Sequence, residues 1–312
     1  MKKYSRFKNI TAKIGRFGAY IPLSNLVMIY GGRFLSDRMK RRISATRNRK
    51  IQNYLKASVE AALLDVTQIP QPRVLKPESI WICWFQGESQ MPGIVRMCLE
   101  SVRKYSNGHE VIVITSDNFR DYVALPDDIV KSYETGDIKP AHFSDLLRIN
   151  LLAQQGGLWL DSTMYMTAPI DKSIFERQFY SIRTKEEGYY VSRCRWAVFV
   201  MGGERYNRLF SVLSKAFSHY LESSDIFVDY FMFDQLIDML VREDPEISSM
   251  IESVPMNNPD VHSLNPILEQ DYDEETYRKI CASTSMFKLS YRNHDDERLK
   301  RPESTYSHCR QL

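Results

Sequence analysis

The 312-residue chain has no apolar run long enough to cross a bilayer. Its longest, around Leu23 to Tyr30, is interrupted by Ser24 and Asn25 and falls well short of the roughly 20 residues a spanning helix needs. Cysteine is scarce: Cys83, Cys98, Cys194, Cys281 and Cys309 are odd in number, scattered and free of C-x-x-C spacing. That pattern excludes a disulfide framework and a structural zinc site, and it reads as the reduced thiols of a cytosolic protein. The basic start has no clean apolar core followed by a small-residue cleavage site, so a secretory signal is not expected. Internal repeats and low-complexity segments are missing too. Acids are nearly absent from residues 1–50, where Asp37 stands alone against fourteen Lys/Arg, whereas the remainder carries 28 Lys/Arg and 38 Asp/Glu. The net charge of +3 therefore conceals a basic N-terminus on an acidic body.

What is present begins with that basic segment. Phe7, Ile10, Ile14, Phe17 and Ile21 recur at helical spacing, with Lys8, Lys13 and Arg16 largely off their face, which suits a helix lying in an anionic membrane interface. A helix packed on the main domain fits the pattern equally well. Nucleic acid is the other partner that a basic segment can meet, and the acidic remainder argues against it. The expected partner of residues 1–50 is an anionic membrane surface, with no nucleic acid. Residues 1–65 read as helical up to the breaker Ile69-Pro70-Gln71-Pro72-Arg73, which sets a boundary between a basic helical extension, 1–70, and a main domain, 71–312.

From there strand and helix signals alternate. Ser79–Phe85 and Glu110–Thr115 are β-rich, a helix opens at Pro92 and reaches about Tyr105, and another covers Phe143 to Gln155 before a strand at Leu158 to Asp161. This order predicts an α/β fold with a mainly parallel sheet flanked by helices. Beyond Thr163, strands are expected at 179–183 and 189–200, and helices near 206–222 and 227–242. After a short strand at 287–291 the tail reads as irregular.

Two words carry the chemistry. In Ile138-Lys139-Pro140-Ala141-His142-Phe143-Ser144-Asp145-Leu146-Leu147-Arg148, Asp145 and Arg148 lie one helical turn apart, and carboxylate plus guanidinium can read vicinal sugar hydroxyls. An intrahelical salt bridge is the plain alternative. In Gly156-Gly157-Leu158-Trp159-Leu160-Asp161-Ser162-Thr163, a glycine stop leads into an apolar strand ending on Asp161, where open α/β sheets bind ligands. Asp161 could hold a divalent cation or cap a turn. Trp84 and Phe85 at the end of the first strand could stack on a nucleobase, with Gln86-Gly87 letting backbone approach, although core packing is the commoner fate of such rings.

Ile80-Trp81-Ile82-Cys83-Trp84-Phe85-Gln86-Gly87, Ser144-Asp145-Leu146-Leu147-Arg148 and the word 156–163 together resemble the capsular polysaccharide synthesis proteins. These are relatives of the DxD-motif glycosyltransferases that include yeast initiating mannosyltransferases and clostridial glucosylating toxins. The likeness spans about residues 75–245. It implies a GT-A fold, a donor half at about 75–165, an acceptor half at 166–312, a nucleoside-diphosphate sugar donor, and Mn2+ or Mg2+. Carried over, Trp84 or Phe85 faces the base, Asp145 and Arg148 touch the donor sugar, and Asp161 is the first acid of the DxD word. Thr163 stands where the second acid, a metal ligand, is usual. Asp229 and Asp234, in Asp229-Tyr230-Phe231-Met232-Phe233-Asp234, fall on the acceptor side, and Lys288 lies where a late loop covers the diphosphate. The resemblance implies sugar transfer, with retention, onto a growing, lipid-linked capsular or surface polysaccharide at the inner face of the cell membrane. The rival reading is a catalytically silent sugar-nucleotide or glycan-binding subunit, for which Thr163 is the argument.

Overall fold

Local signals at the N-terminus produce helix after helix. The computed structural model describes residues 11, 13–65, 67–69, 78–185, 188–224, 226–292 and 294–311. Residues 13–17 are helical, and α1 (Tyr20–Leu26) runs on through a π turn, Val27–Gly31, and a 3-10 turn, Gly32–Phe34. The Ser36 hydroxyl then accepts from the Met39 N–H to cap α2 (Asp37–Leu64). Ile51, Leu55, Val59 and Ala62 of α2 are buried and join the core built by the later helices.

Phe7 and Ile10 of the expected amphipathic face lie outside the described residues, as do Pro70–Arg73 of the expected breaker. Of the rest of that face, Ile14 is half-buried, and Phe17 and Ile21 follow the packed alternative rather than the membrane one. Both are buried, and Phe17 meets the edge of Tyr54 at 5.1 Å, so this side of the helix packs inward. The apolar side chains left exposed are others, Leu23, Val27, Ile29, Tyr30 and Phe34.

The main sheet starts with β1 (Ile80–Cys83), followed by α3 (Gly93–Lys104) and β2 (Val111–Ile114). Then come α4 (Asp127–Glu134), α5 (Pro140–Gln155), β3 (Gly157–Leu160), β4 (Met164–Met166), β5 (Phe179–Ser181) and β6 (Val200–Gly203). The strand order is β2-β1-β3-β6-β5. β1 pairs in parallel with β2 and β3, and β6 is antiparallel to β3 and β5, so four of the five strands point one way. The expected α/β class and mainly parallel direction are what is found. Alternation along β1 sends Ile80 and Ile82 to one face of the sheet and Trp81 to the other, where α5 packs.

The second half adds α6 (Arg208–Ser223), α7 (Met232–Glu243), α8 (Pro245–Glu252), α9 (Glu274–Cys281), β7 (Met286–Lys288), α10 (Asp296–Leu299) and α11 (Thr305–Gln311). α2 packs on α6 and α7. β7 pairs antiparallel with β4 in a separate two-stranded sheet. Two expectations need correcting. Residues 189–199 are turns, because Arg193 and Cys194 have φ of 48° and 56°, a left-handed conformation that cannot continue a strand. The tail ends in a helix, α11, seated on Tyr165 and Leu268 through Tyr306 and Cys309.

Candidate functional site

The junction of α5 and β3 sets the site. α5 starts with Pro140 at its first turn and is buried almost all round from Phe143 to Gln155, so it lies under the sheet with little freedom to rotate. It stops at Gly156 (φ 70°), and Gly157 (φ 90°) opens β3. Both need glycine twice over. The conformation is left-handed, and a Cβ on Gly157 would stand 2.4 Å from the Ser79 carbonyl oxygen. The reversal carries the chain from Arg148 back to Asp161, which follows the last β3 residue at its C-terminal end.

There the charged groups converge. Arg148 Nη2 lies 3.3 Å from Asp161 Oδ1, and Nη1 lies 3.3 Å from Asp145 Oδ1 in an orientation that makes no hydrogen bond. The guanidinium is sandwiched between the rings of Trp159 and Phe233, at 5.0 and 5.5 Å from their centroids. Trp159 Nε1 also donates to Asp161 Oδ1 at 3.1 Å. From the opposite side Lys288 Nζ donates to Asp161 Oδ2 at 2.8 Å and to Thr163 Oγ1 at 2.7 Å. The β4–β7 ladder, in which Lys288 faces Met164, brings this lysine across 125 residues.

Arg148 is buried, with 6% of its side chain exposed, while Asp145, Asp161 and Lys288 keep 22%, 29% and 23% and so can be reached from solvent. Arg148 Nε and Nη1 are left without hydrogen-bond partners, which is costly for a buried cation and leaves two donors for a bound molecule.

The environment drives the carboxyls apart. Burial pushes Asp145 up to about 7, partly opposed by Arg148 and reinforced by Asp161 and Asp234. For Asp161 burial acts upward too, but the Lys288 ammonium and the Arg148 guanidinium prevail and hold it at about 2. Asp234, at the start of α7, accepts from Trp196 Nε1 at 2.9 Å, and burial raises it to about 6 against that bond and Arg148. The Cys83 thiol beside this cluster is pushed by burial up to about 12, which removes it as a nucleophile.

Asp145, Arg148, Asp161, Thr163 and Lys288 are thus brought together, with Asp234 at the edge. The others scatter. Phe85 sits in a ring cluster with Tyr133 and Phe143, at 5.4 and 5.6 Å, as core aromatics do. Trp84 meets the edge of Tyr291 at 5.5 Å, and its buried Nε1 has no partner among the described residues. Gln86 is exposed and points into no described contact. Asp229 stays apart from the cluster. It is buried, accepting from the Phe231 N–H and from Asn25 of α1, a cap that ties the α7 approach to the N-terminal helix.

Sequence reasoning missed Trp159, Trp196, Phe199 and Phe233. For Trp159 a signal existed, since period-two alternation puts it on the same strand face as Asp161. The other three come from distant segments with no local mark.

A divalent cation finds a poor donor set. Within the cluster Asp161 is the carboxylate held low, both its oxygens already face cations, and the Thr163 hydroxyl is engaged by the Lys288 ammonium. Hard ions want several oxygen ligands. No group of three His, Cys, Asp or Glu able to hold a metal occurs among the described residues. The residues present do not fit the metal the resemblance implies.

Carboxylates, a guanidinium and an ammonium gathered at the C-terminal end of β3 offer hydrogen-bond donors and acceptors to a polar ligand. The chain belongs to the capsular polysaccharide synthesis protein family, whose model matches residues 32–309, well beyond the 75–245 expected. Membership makes it a transferase of polysaccharide synthesis. No curated protein matches it. A solved structure entitled "PaToxG Glycosyltransferase" is similar at 13% identity and a TM-score of 0.32, with 88% of this chain and 97% of that chain covered.

Proposed function

We propose that the chain moves a sugar from a nucleoside-diphosphate sugar onto a growing, lipid-linked capsular or surface polysaccharide, in a GT-A-like site and with retention. The network Asp145–Arg148–Asp161–Lys288 carries this reading. It offers acceptors for sugar hydroxyls and two cations for hydroxyl and phosphate oxygens, on side chains of which all but Arg148 are partly exposed.

In the assigned roles Asp145 and Arg148 read the donor sugar, Asp161 fixes both cations, and Trp84 with Tyr291 forms the base side. Asp234 faces the acceptor. The donor C1–O bond breaks with its electron pair left on the phosphate oxygen, the acceptor oxygen bonds to C1, and the acceptor proton passes to the diphosphate. The donor half, about 75–165, then supplies the sugar readers, while the half from 166 onward reaches back with Lys288.

A second reading, a sugar-nucleotide-binding subunit without turnover, is favoured by Thr163 in place of an acid. The test is a panel of nucleoside-diphosphate sugars, scored by the rise in melting temperature and by donor hydrolysis. Stabilisation with turnover supports the transferase, stabilisation alone supports the subunit, and neither effect overturns the donor site.

Among the described residues no helix is long and apolar enough to cross a membrane. Attachment to an anionic inner leaflet is assigned instead to the exposed Leu23, Val27, Ile29, Tyr30 and Phe34, beside Arg33, Arg38 and Arg42.

A further inference from the structure

The positive charge at the Asp161–Thr163 pair is a side chain of this protein. Lys288 Nζ makes hydrogen bonds of 2.8 Å to Asp161 Oδ2 and 2.7 Å to Thr163 Oγ1, and it stands 5.3 Å from the centroid of the Phe199 ring. An ammonium has three N–H donors, so these two bonds leave one for a ligand oxygen. The lysine is anchored by its backbone. It faces Met164 in the β4–β7 ladder, its N–H donates to the Val261 carbonyl at 2.7 Å, and the next N–H, of Leu289, donates to the Thr163 carbonyl at 2.9 Å.

Residues 163 and 288 are also chemically matched. A hydroxyl accepts from an ammonium without adding charge, whereas a carboxylate at position 163 would place two acids around one lysine. Asp161 and Asp145 face Arg148 and Lys288, and burial pushes Asp145 up to about 7, so with its proton in place these four groups carry one net positive charge for a phosphate. A divalent ion at these oxygens would have to displace the ammonium and remain beside it and the buried guanidinium, with one carboxylate to hold it.

We propose that the Lys288 ammonium does here what a divalent cation would do, contacting the donor's diphosphate through its third N–H, so that the nucleoside diphosphate binds without metal. This rests on the donor-site reading above. It also turns Thr163 from an argument for a silent protein into part of a working site.

Isothermal titration of the full chain with UDP and with GDP, each in EDTA and in manganese, tests it. The expected result is a diphosphate bound in EDTA within about threefold of its affinity in manganese, and no binding of manganese alone. Lys288→Ala should weaken binding in EDTA at least about tenfold, the loss expected of a charge-assisted hydrogen bond. The double change Thr163→Asp with Lys288→Ala should restore binding only when manganese is present. Binding by the unaltered protein that requires manganese would overturn the inference while leaving the donor site standing, and that comparison does not depend on any variant folding. If neither diphosphate binds in either buffer, both the donor site and the inference fail. Undiminished binding by a folded Lys288→Ala in EDTA would reduce Lys288 to a structural ion pair.

Discussion

Arg148 is held by far more than its neighbour one turn away. Two aromatic faces, the Asp161 carboxylate and the Asp145 carboxylate surround a guanidinium that water barely reaches. A planar, stacked, forked cation has no lysine equivalent. We expect Arg148→Lys to cut transfer roughly a hundredfold and to lower the melting temperature as well, since charge is kept but the buried, stacked fork is lost, so the rate is scored on the folded variant. Wild-type rates in steady-state assays would return Asp145 and Arg148 to a simple ion pair.

Asp161 behaves differently. Its truncation to Ala leaves a buried guanidinium and an ammonium facing each other, so we expect a loss of about 3 kcal/mol in denaturant titrations together with lost activity. A stable Asp161→Ala would show that the two cations find other partners.

Asp145 supplies the pH test. Burial holds its carboxyl at about 7, above its unfolded value, so the folded state keeps a proton that the unfolded chain has released. Its contribution to stability is therefore fully present below the ordinary carboxylate range and is lost as pH rises to about 7. Asp145→Asn removes that loss. The variant should melt higher than the parent at about pH 8, by a margin that shrinks towards about pH 5, while binding the donor sugar more weakly. Asp161 works in the opposite sense and in another window. Held at about 2, it contributes above the ordinary range and is lost only on strong acidification. A parent and Asp145→Asn with parallel melting profiles would remove the buried-acid argument.

At the scale of elements, the α5–Gly156–Gly157–β3 unit was legible because three local signals agreed: helical periodicity, a glycine stop and an apolar run ending on an acid. β-rich runs and a proline at the helix start located β1, α3 and β2. Residues 189–199 misled for a physical reason. Their β-rich composition competes with two left-handed residues that nothing in composition announces. Lys288 could be joined to the Asp161 cluster only through the family resemblance, because its contact depends on a ladder between segments more than a hundred residues apart. Thr163 and Lys288 as partners, and Trp159 under Arg148, needed the fold.

The glycine pair is itself testable. Gly157→Ala must fit a Cβ 2.4 Å from the Ser79 carbonyl oxygen and 2.9 Å from Trp81 Nε1 in a left-handed conformation. We expect a loss of at least about 2 kcal/mol in denaturant titrations, from strain and from the displaced β1–β3 pairing. Gly87→Ala has the same sign of φ but open space around it, so it should cost less. Equal costs would mean that conformation alone, and not close approach, demands glycine at 157.

For the molecule as a whole, charge and apolar surface coincide at one place. α1 buries Ile21 and Ser24 against the protein, and Leu23 of α1 with Val27, Ile29, Tyr30 and Phe34 of the turns after it face outward, Phe34 76% and Ile29 65% exposed. Arg33 lies next to Phe34, and Arg38, Arg41 and Arg42 follow within eight residues of it. An anionic leaflet is the surface that would satisfy both features, since each cation near it contributes about 1 kcal/mol and the apolar side chains add burial in the headgroup region. Removing residues 1–50 altogether is a poor test, because Phe17, Ile21 and Ser44 are buried and Arg47 bonds Asn25. Ile29→Asp with Phe34→Asp is cleaner, as both side chains lie outside the core. The pair should leave melting temperature and donor binding unchanged while abolishing sedimentation with phosphatidylserine vesicles at moderate salt. The parent protein should sediment with those vesicles and fail to do so with phosphatidylcholine alone. Equal recovery of parent and variant from phosphatidylserine would show that this face is not the attachment surface, and a variant that lost donor binding would show that α1 supports the site through Asn25 and Asp229 instead.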